Sequence, residues 1–285
     1  MRIREIEEKE MAVIELTKKV GSSNLPARSV GIKTGSARRL DPNGKGMHDL
    51  TQGHIFIADG IITNHPAAER FRILKAQIER KNRNDKKYQV LSIVSAIPQE
   101  GKSVVATNLA RAFGNDEKKR VLLIDCDPRK STVHEYFDLQ EGPGLSEVLN
   151  GRMEIGDAIR AVSPGLDVLT AGNPNEDPTA LIEGPEFKAY IEELKAHYDY
   201  IVLDCPPALL CPEPITISSI TDATLLVLRA WKTDKRLVED AVSVIGKQNI
   251  LGAIVNGSFD TSKSYQTYDY YGYYKHAGNR TGQVY

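Results

Sequence analysis

The sequence has few cysteines, almost no net charge and no long apolar run. Its three cysteines, Cys126, Cys205 and Cys211, form no CxxC pair, which argues against a disulfide framework. The formal net charge is −1 over 285 residues, so no overall field would attract a nucleic acid or an anionic membrane. No apolar run approaches the roughly 20 residues of a membrane-spanning helix. We therefore expect a cytoplasmic protein that binds no nucleic acid and reaches a membrane only through a partner.

The first 53 residues differ in composition from the rest of the chain. The opening MRIREIEEKE has too many acids for a signal or transit peptide. Residues 1–20 alternate charged and apolar side chains, which predicts a short amphipathic helix; membrane anchoring is the weaker interpretation, because acids balance bases. Residues 21–53 are rich in Ser, Gly, Pro, Arg and Lys, which predicts a flexible linker whose bases either are solvated or touch a phosphate surface.

A helix is predicted to begin at Pro66 and to cover residues 66–81, since proline is favoured in the first helical turn. Its apolar stripe consists of Phe71, Leu74 and Ile78. A neighbouring face carries the charged residues Glu69, Arg72 and Lys75. This face is either self-paired and solvated or a contact between subunits, and the spacing does not decide between the two.

The stretch from Val90 to Phe113 predicts a buried strand, a tight turn and a helix, and the chain is organised around it. The turn reads AIPQEGKS and departs from the pattern GxxxxGK[ST] only in having Ala96 for the first glycine. In such a loop the backbone N–H groups and the helix start hold phosphates. Lysine reaches the β- and γ-phosphates, and the hydroxyl joins the Mg²⁺ shell. Lys102 and Ser103 suit these two roles.

Two later strands end in carboxylates. Residues 121–124 form a continuous apolar run before Asp125 and Asp127, and residues 200–203 form another before Asp204. Ligands of open α/β sheets bind beyond the carboxyl ends of the strands, so we expect these acids to meet the phosphate loop at one edge. The alternation of strands and helices predicts a doubly wound, mostly parallel sheet of the P-loop NTPase class.

The C-terminal segment, residues 258–285, is almost free of aliphatic residues and rich in tyrosine. Because it has little apolar surface to bury, we expect it to be mobile. Three interpretations remain: a surface that stacks on nucleic-acid bases, a low-complexity end without function, and a set of phosphate acceptors, which we favour. A mobile chain of ten to twenty residues spans about 17–27 Å, enough to reach the site of a touching neighbour. The tyrosines concerned are Tyr265, Tyr268, Tyr270, Tyr271, Tyr273 and Tyr274.

These motifs together resemble the bacterial tyrosine autokinases of capsule and exopolysaccharide synthesis, with a weaker similarity to the exosortase-associated subgroup. AIPQEGKS resembles the family's Walker A motif, VLLIDCDPR its Walker A′ motif and YDYIVLDCPP its Walker B motif. ERFRILK resembles its E-x-x-R-x-x-R contact motif, with Lys75 in place of the last arginine. The resemblance extends from residue 67 to the tyrosine-rich end.

The resemblance implies ATP and Mg²⁺ as ligands and assigns roles to residues of this sequence. Nucleotide binding falls to Pro98, Gln99, Glu100, Gly101, Lys102, Ser103, Val104 and Asn256. Catalysis falls to Lys102, Asp125, Asp127 and Asp204, and the metal to Ser103, Asp125 and Asp204. Either Asp125 or Asp127 accepts the tyrosine proton.

The resemblance also implies partners: other copies of the chain, phosphorylated in trans and contacted through Glu69, Arg72 and Lys75; a membrane-borne co-polymerase that activates the kinase and recruits it to the membrane; and a tyrosine phosphatase. The predicted organisation is an extension over residues 1–53, a kinase domain over 54–257 and a tail over 258–285.

The main alternative is a positioning ATPase of the ParA/MinD group. Against this alternative, Ile97 occupies the place of that group's additional lysine, and the chain ends in tyrosines instead of an amphipathic helix.

Overall fold

A computed structural model describes residues 12–17, 66–82, 87–173 and 177–258. The strands are β1 (Ala12–Thr17), β2 (Val90–Ser95), β3 (Val121–Asp125), β4 (Arg160–Ser163), β5 (Leu166–Leu169), β6 (Tyr200–Asp204), β7 (Ala223–Arg229) and β8 (Ile250–Ser258). The helices are α1 (Pro66–Asn82), α2 (Lys102–Gly114), α3 (Val133–Tyr136), α4 (Leu145–Leu149), α5 (Ile155–Ala158), α6 (Pro178–Glu183), α7 (Pro185–Leu194), α8 (Glu213–Ile220) and α9 (Lys235–Ile245).

The eight described strands form one sheet in the order β1-β8-β7-β2-β6-β3-β5-β4. Neighbouring strands are parallel except for β4 and β5, which pair in antiparallel fashion. Because the central strands β2, β3, β6 and β7 run in one direction, their carboxyl ends lie along one edge. The predicted doubly wound, mostly parallel fold is therefore confirmed.

The sheet separates two hydrophobic layers. In β2, Val90 and Val94 belong to one core cluster, whereas Leu91 and Ile93 belong to the other. Helices α1 and α2 supply side chains to the layer beside Leu91, and helices α6 to α9 supply the layer beside Val90. A strand buried on both faces needs apolar residues at every position, which is why these strands read as continuous apolar runs.

Two predicted helices differ from the structure. Residues 12–17, predicted as part of an amphipathic helix, form β1 and pair in parallel with β8 from Ala12↔Gly252 onward; their β-branched Val13, Ile14 and Thr17 favour an extended chain. The sequence from Pro178 to His197 also predicts one helix, but the structure divides it into α6 and α7 at Gly184, which is extended with φ −62° and ψ 150°. Pro185 then begins a new helix, since proline interrupts a helix unless it stands in its first turn.

The apolar stripe of α1 lies in the core as predicted: Phe71, Leu74 and Ile78 are at most 4% exposed. The predicted boundaries at residues 53 and 257 stay predictions, because most of both ends lies outside the described residues. Across the described ranges, no helix is long and apolar enough to cross a bilayer.

Leu74→Ala should lower the free energy of unfolding by about 3 kcal/mol, because it removes a fully buried side chain and leaves a cavity. Leu74 is 1% exposed and shares its core cluster with Leu109 and Phe113. The neighbouring Ile73 is 41% exposed, so Ile73→Ala should change the stability by about 0.5 kcal/mol or less. Urea unfolding of both variants measures the difference, and equal losses would contradict the packing of α1 on α2.

Candidate active site

The turn between β2 and α2 has the backbone of a phosphate-binding loop. Gly101 is the residue before the helix and adopts φ 95° and ψ 27°, and no side chain caps the helix start. Gln99 also has a positive φ of 65°, a conformation that few residues other than glycine adopt readily. The start of a 13-residue helix left without a side-chain cap suits an anion, which its N–H groups and dipole would attract.

Glu100 within the loop, Thr233 between β7 and α9, and Asn256 of β8 hold this loop in shape. The Glu100 carboxylate is buried; its Oε2 accepts a hydrogen bond from Ile97 N at 3.0 Å, and its Oε1 accepts one from Thr233 Oγ1. Asn256 Nδ2 donates to Glu100 O at 2.9 Å. The carboxylate of Glu100 thus shapes the loop, and only its backbone is left to contact a phosphate. Thr233 was not predicted as a site residue, since nothing in the sequence pairs it with a residue 133 positions away.

Lys102 lies among the carboxylates that the sequence predicted. Its Nζ is 3.0 Å from Asp127 Oδ2, 3.5 Å from Asp204 Oδ1 and 3.4 Å from Ser103 Oγ. Burial by itself lowers the pKa of Lys102, but the negative charges of Asp204, Asp127 and Asp125 outweigh burial and raise its pKa above the usual range. Lys102 therefore carries its positive charge at any physiological pH.

Asp125 and Asp204 stand opposite each other, because they are register partners at the ends of the adjacent strands β3 and β6. Asp125 Oδ1 accepts a hydrogen bond from Asp127 N at 3.0 Å, and Oδ2 accepts one from Ser131 Oγ at 3.0 Å and one from Val133 N at 3.3 Å. Burial first, and the charge of Asp204 second, raise the pKa of Asp125 to about 7. Burial also raises the pKa of Asp204, and Lys102 offsets only part of this effect.

The nucleotide-free protein should lose stability as the pH rises from about 4 to above 7. The native state keeps a proton on Asp125, with its pKa of about 7, which the unfolded chain has released near the ordinary value of 3.8. The unfolded state thus binds fewer protons in this window, and unfolding becomes easier with rising pH. Lys102 does not alter this slope, because its raised pKa matters only above its ordinary value of 10.5.

In the wild-type protein, the free energy of unfolding should differ by on the order of 2 kcal/mol between pH 5 and pH 8, and Asp125→Asn should remove this difference. Urea unfolding without nucleotide and with a chelator measures it. Asp157→Asn, at an exposed position of α5, is the matched control and should keep the wild-type slope. If the free energy of unfolding of Asp125→Asn depends on pH as that of the wild type does, groups other than Asp125 cause the dependence.

The site suits a magnesium ion that a nucleotide also holds. Both carboxylate oxygens of Asp204 are buried and accept no hydrogen bond of normal geometry from the described part of the chain, although Lys102 Nζ lies 3.5 Å from Oδ1. The Ser103 hydroxyl lies beside the same lysine. Within those residues no three His, Cys, Asp or Glu side chains gather as a metal centre. Mg²⁺ typically takes one or two carboxylates and completes its shell with phosphates and water, which agrees with this donor set.

A second ion pair joins a partly exposed arginine, Arg129, to a buried acid. Glu213, at the start of α8, is fully buried, and it pairs with Arg129 and accepts a hydrogen bond from Thr179 Oγ1 at 2.9 Å. Arg129 Nη2 donates to Thr179 Oγ1 at 3.1 Å. Arg129 is a candidate from the sequence because it follows the acids at the end of VLLIDCDPR, whereas no pattern in the sequence points to Glu213 or Thr179. The pair connects the loop after β3 to α6 and α8.

The charged face of α1 pairs within its own helix. Arg72 Nη1 lies 3.0 Å from Glu69 Oε2, and Lys75 Nζ lies 4.0 Å from Glu79 Oε1. Both pairs are at helical spacings of three or four residues, where exposed ion pairs contribute a few tenths of a kcal/mol. The intersubunit role of this face stays a prediction. The predicted phosphate acceptors, Tyr265 to Tyr274, lie outside the described residues.

Comparisons with known proteins agree with this geometry. A family model described as an AAA domain matches residues 89–230. The chain is 36% identical over 210 residues to tyrosine-protein kinase YwqD of Bacillus subtilis, a match that covers 73% of this chain and 86% of that protein. It is 34% identical over 209 residues to the putative tyrosine-protein kinase CapB of Staphylococcus aureus, with coverage of 72% and 90%.

Some relatives are much longer than this chain. It is 32% identical over 187 residues to tyrosine-protein kinase wzc of Salmonella typhimurium but spans only 26% of that protein. It likewise spans 20% of tyrosine-protein kinase ptk of Acinetobacter johnsonii. This chain therefore corresponds to one part of those longer proteins.

Solved structures show the same architecture. The kinase domain of Escherichia coli tyrosine kinase ETK superposes with a TM-score of 0.67 at 27% identity and covers 72% of this chain and 80% of that one. The cell-division ATPase MinD of Pyrococcus furiosus has a TM-score of 0.52 at 23% identity, over 62% and 74% of the two chains, which is a likeness of fold alone. The relationship predicted from the motifs is confirmed: the chain belongs to the family of bacterial tyrosine-protein kinases.

Proposed function

We propose that the protein is an ATP-dependent tyrosine autokinase that phosphorylates its own C-terminal tyrosine cluster and thereby regulates exopolysaccharide polymerisation and export. One observation carries the proposal: Lys102 lies between Asp127 and Asp204 at the mouth of an uncapped helix. In this arrangement the positive charge of Lys102 lies beside the expected position of the phosphates. The carboxylates of Asp127 and Asp204 lie where they could accept a proton and bind a cation. The named relatives support a tyrosine as the acceptor.

In this proposal the loop from Pro98 to Val104 wraps the phosphates, and Lys102 turns from the acids to the β- and γ-phosphates. Asn256 lies at the loop and contacts the adenine end of the nucleotide. Ser103 and Asp204 would hold Mg²⁺, and Asp125, whose oxygens already accept three hydrogen bonds, would lie near the ion or its waters. Bound Mg²⁺ would neutralise charge that develops on the transferred phosphate.

The contacts favour Asp127 over Asp125 as the proton acceptor. Asp127 Oδ1 accepts a hydrogen bond from Lys130 N at 3.1 Å, whereas Oδ2 is paired with Lys102. When Lys102 moves to the phosphates, Oδ2 is released toward the incoming tyrosine. The phenolic oxygen then forms a bond to the γ-phosphorus, the bond to the leaving oxygen of ADP breaks, and the phenolic proton passes to Asp127. A tyrosine with a pKa near 10 is neutral in the cell, so a positioned base is useful.

The acceptor tyrosines are proposed to come from a second copy of the chain, with Glu69, Arg72 and Lys75 at the contact. Exchange of the intrahelical partner of Arg72 for an acid of a neighbour costs little, because both side chains of the present pair are exposed and such pairs are weak. A membrane-borne co-polymerase would activate and recruit the cytoplasmic kinase, and a tyrosine phosphatase would reverse it.

Mass spectrometry after incubation with ATP and Mg²⁺ tests the proposal. We expect phosphate on tyrosines between Tyr265 and Tyr274 and none on Tyr190, a half-buried tyrosine of α7 that serves as the internal control. If the segment stays unmodified while inorganic phosphate is released, and release increases with DNA or lipid vesicles, the protein is a positioning ATPase and the proposal is wrong. Nucleotide binding without either product would indicate a scaffold.

A further inference from the structure

We infer that His134 and Ser131 are positioning residues for Asp125, and that His134 determines whether the Ser131 hydroxyl points to that carboxylate. The inference rests on the proposed function, because Asp125 belongs to its active site. It is carried by a row of side chains that leads from the fully buried Asp125 to the surface. Neither Ser131 nor His134 was among the residues predicted from the sequence.

Each side chain of this row lies within hydrogen-bonding distance of the next. Ser131 Oγ lies 3.0 Å from Asp125 Oδ2, and the same oxygen lies 3.3 Å from His134 Nδ1. On the far side of the ring, His134 Nε2 lies 3.4 Å from Glu141 Oε1. The histidine side chain is 11% exposed and that of Glu141 is 85% exposed, so the row joins the site to solvent.

Ser131 has one hydroxyl hydrogen and two acceptors that compete for it. The hydrogen is free for Asp125 only when His134 Nδ1 carries its own hydrogen and donates it to Ser131 Oγ. Glu141 at the other nitrogen favours a hydrogen on Nε2. A neutral ring that donates to Glu141 therefore accepts the Ser131 hydrogen at Nδ1, and Asp125 loses it. A protonated ring donates at both nitrogens and leaves the hydrogen with Asp125.

Asp125 has little to replace this bond. Its Oδ2 would keep only Val133 N, at 3.3 Å, so the carboxylate could rotate away from the edge that faces the phosphates. Ser131 and Glu141 are the polar side chains placed against the ring. Among the described residues, other charged groups near α3 include Asp125, behind Ser131, Glu135 on the helix itself, Asp138 just after it, and Arg111 of α2, whose Nη2 donates to Tyr136 O.

Single-turnover autophosphorylation between pH 5.5 and 8.5 tests the inference in the full chain. Ser131→Ala should slow transfer about tenfold and leave the affinity for ATP within about twofold, because Asp125 loses a hydrogen-bond partner that makes no direct contact with the nucleotide. His134→Asn keeps an N–H donor near the position of Nδ1 but does not titrate. The ratio of the wild-type rate to the His134→Asn rate should therefore fall about tenfold with rising pH.

Taking this ratio cancels any titration of Asp125 that both proteins share. In the Ser131→Ala background the ratio should be flat, because the histidine acts through the serine. Glu141→Gln, a surface change, should weaken the pH dependence of the ratio, since the glutamine amide can donate to Nε2 and favour the Nδ1–H form. The matched controls are His197→Asn and Ser219→Ala, both exposed and away from the site.

The two proposals fail in different ways. Absence of phosphate on the tyrosine cluster of the wild-type protein would overturn the proposed function. A phosphorylated wild type with a flat rate ratio, or a Ser131→Ala variant at the wild-type rate, would overturn the inference alone. Nitrogen-15 spectra of the His134 ring provide a readout without activity: Glu141→Gln should move hydrogen from Nε2 to Nδ1, and unchanged spectra would contradict the row of contacts.

Discussion

Replacing Lys102 by methionine should reduce tyrosine phosphorylation by at least about 10²- to 10³-fold, the loss typical of removing one group that stabilises transition-state charge. Methionine has a similar length and keeps the apolar contacts, but it offers no charge to the phosphates. A time course of phosphorylation of the C-terminal segment, monitored by mass spectrometry, measures the loss of rate. The effect should be in the rate at saturating ATP as well as in ATP affinity, because the lysine would contact both ground and transition states.

The same substitution should also destabilise the nucleotide-free protein at neutral pH, by about 3 kcal/mol, since it leaves buried carboxylates without their cation. Burial raises the pKa values of Asp125 and Asp204, and Lys102 lowers them. Removal of Lys102 should therefore raise both pKa values further. The loss of stability should accordingly be smaller at pH 5 than at pH 8. Lys188→Met, at an exposed position of α7, is the matched control for both measurements. If the Lys102→Met variant transfers phosphate at the wild-type rate, the phosphate loop does not take the part in the mechanism that is proposed for it.

Gly101→Ala is expected to have the second large effect, on nucleotide binding and on folding. A Cβ atom added at Gly101 would lie 2.0 Å from Asn256 Nδ2, and the φ of 95° is unfavourable for alanine. The Asn256 side chain would have to release Glu100 O, and the backbone would have to leave its present conformation. We expect ATP affinity to fall about 100-fold or more and the free energy of unfolding to fall by about 2–4 kcal/mol, the range of a strained backbone plus a lost buried hydrogen bond.

Gly156→Ala provides the control for that experiment. A Cβ at Gly156 would meet no atom within 4 Å, and its φ is not positive. Because this glycine lies in the short helix α5, alanine should be neutral or stabilise the protein by up to about 1 kcal/mol. Calorimetric titration with ATP and urea unfolding report the two quantities. If Gly101→Ala and Gly156→Ala behave alike, the loop does not need the conformation described here.

The phosphate loop tolerates an alanine at the first position of its sequence pattern, Ala96, and a residue other than glycine at a left-handed position, Gln99. Ala96 is fully buried at the end of β2 and has no positive φ, so a glycine is not required there. Gln99 does occupy the positive-φ region, where a glycine would fit with less strain. The loop keeps its form because Glu100 is held by Ile97, Thr233 and Asn256. The contacts that compensate come from outside the motif.

The sequence by itself determined the central strands, the phosphate loop and the acids at the strand ends. These elements are contiguous apolar runs that end in charged or glycine residues, and both burial and strand direction follow from such local patterns. The meeting of Lys102 with Asp127 and Asp204 was predictable for the same reason, because parallel strands place their carboxyl ends together.

Only the tertiary structure decided which distant residues support that site. β1 joins β8 across more than 230 residues, Thr233 holds Glu100, Glu213 pairs with Arg129, and His134 reaches Asp125 through Ser131. Each of these partners is an ordinary polar residue or a short segment whose local sequence has no distinguishing periodicity. Their roles arise from hydrogen-bond geometry between elements that folding brings together, and such geometry depends on distances in space that residue spacing along the chain does not encode.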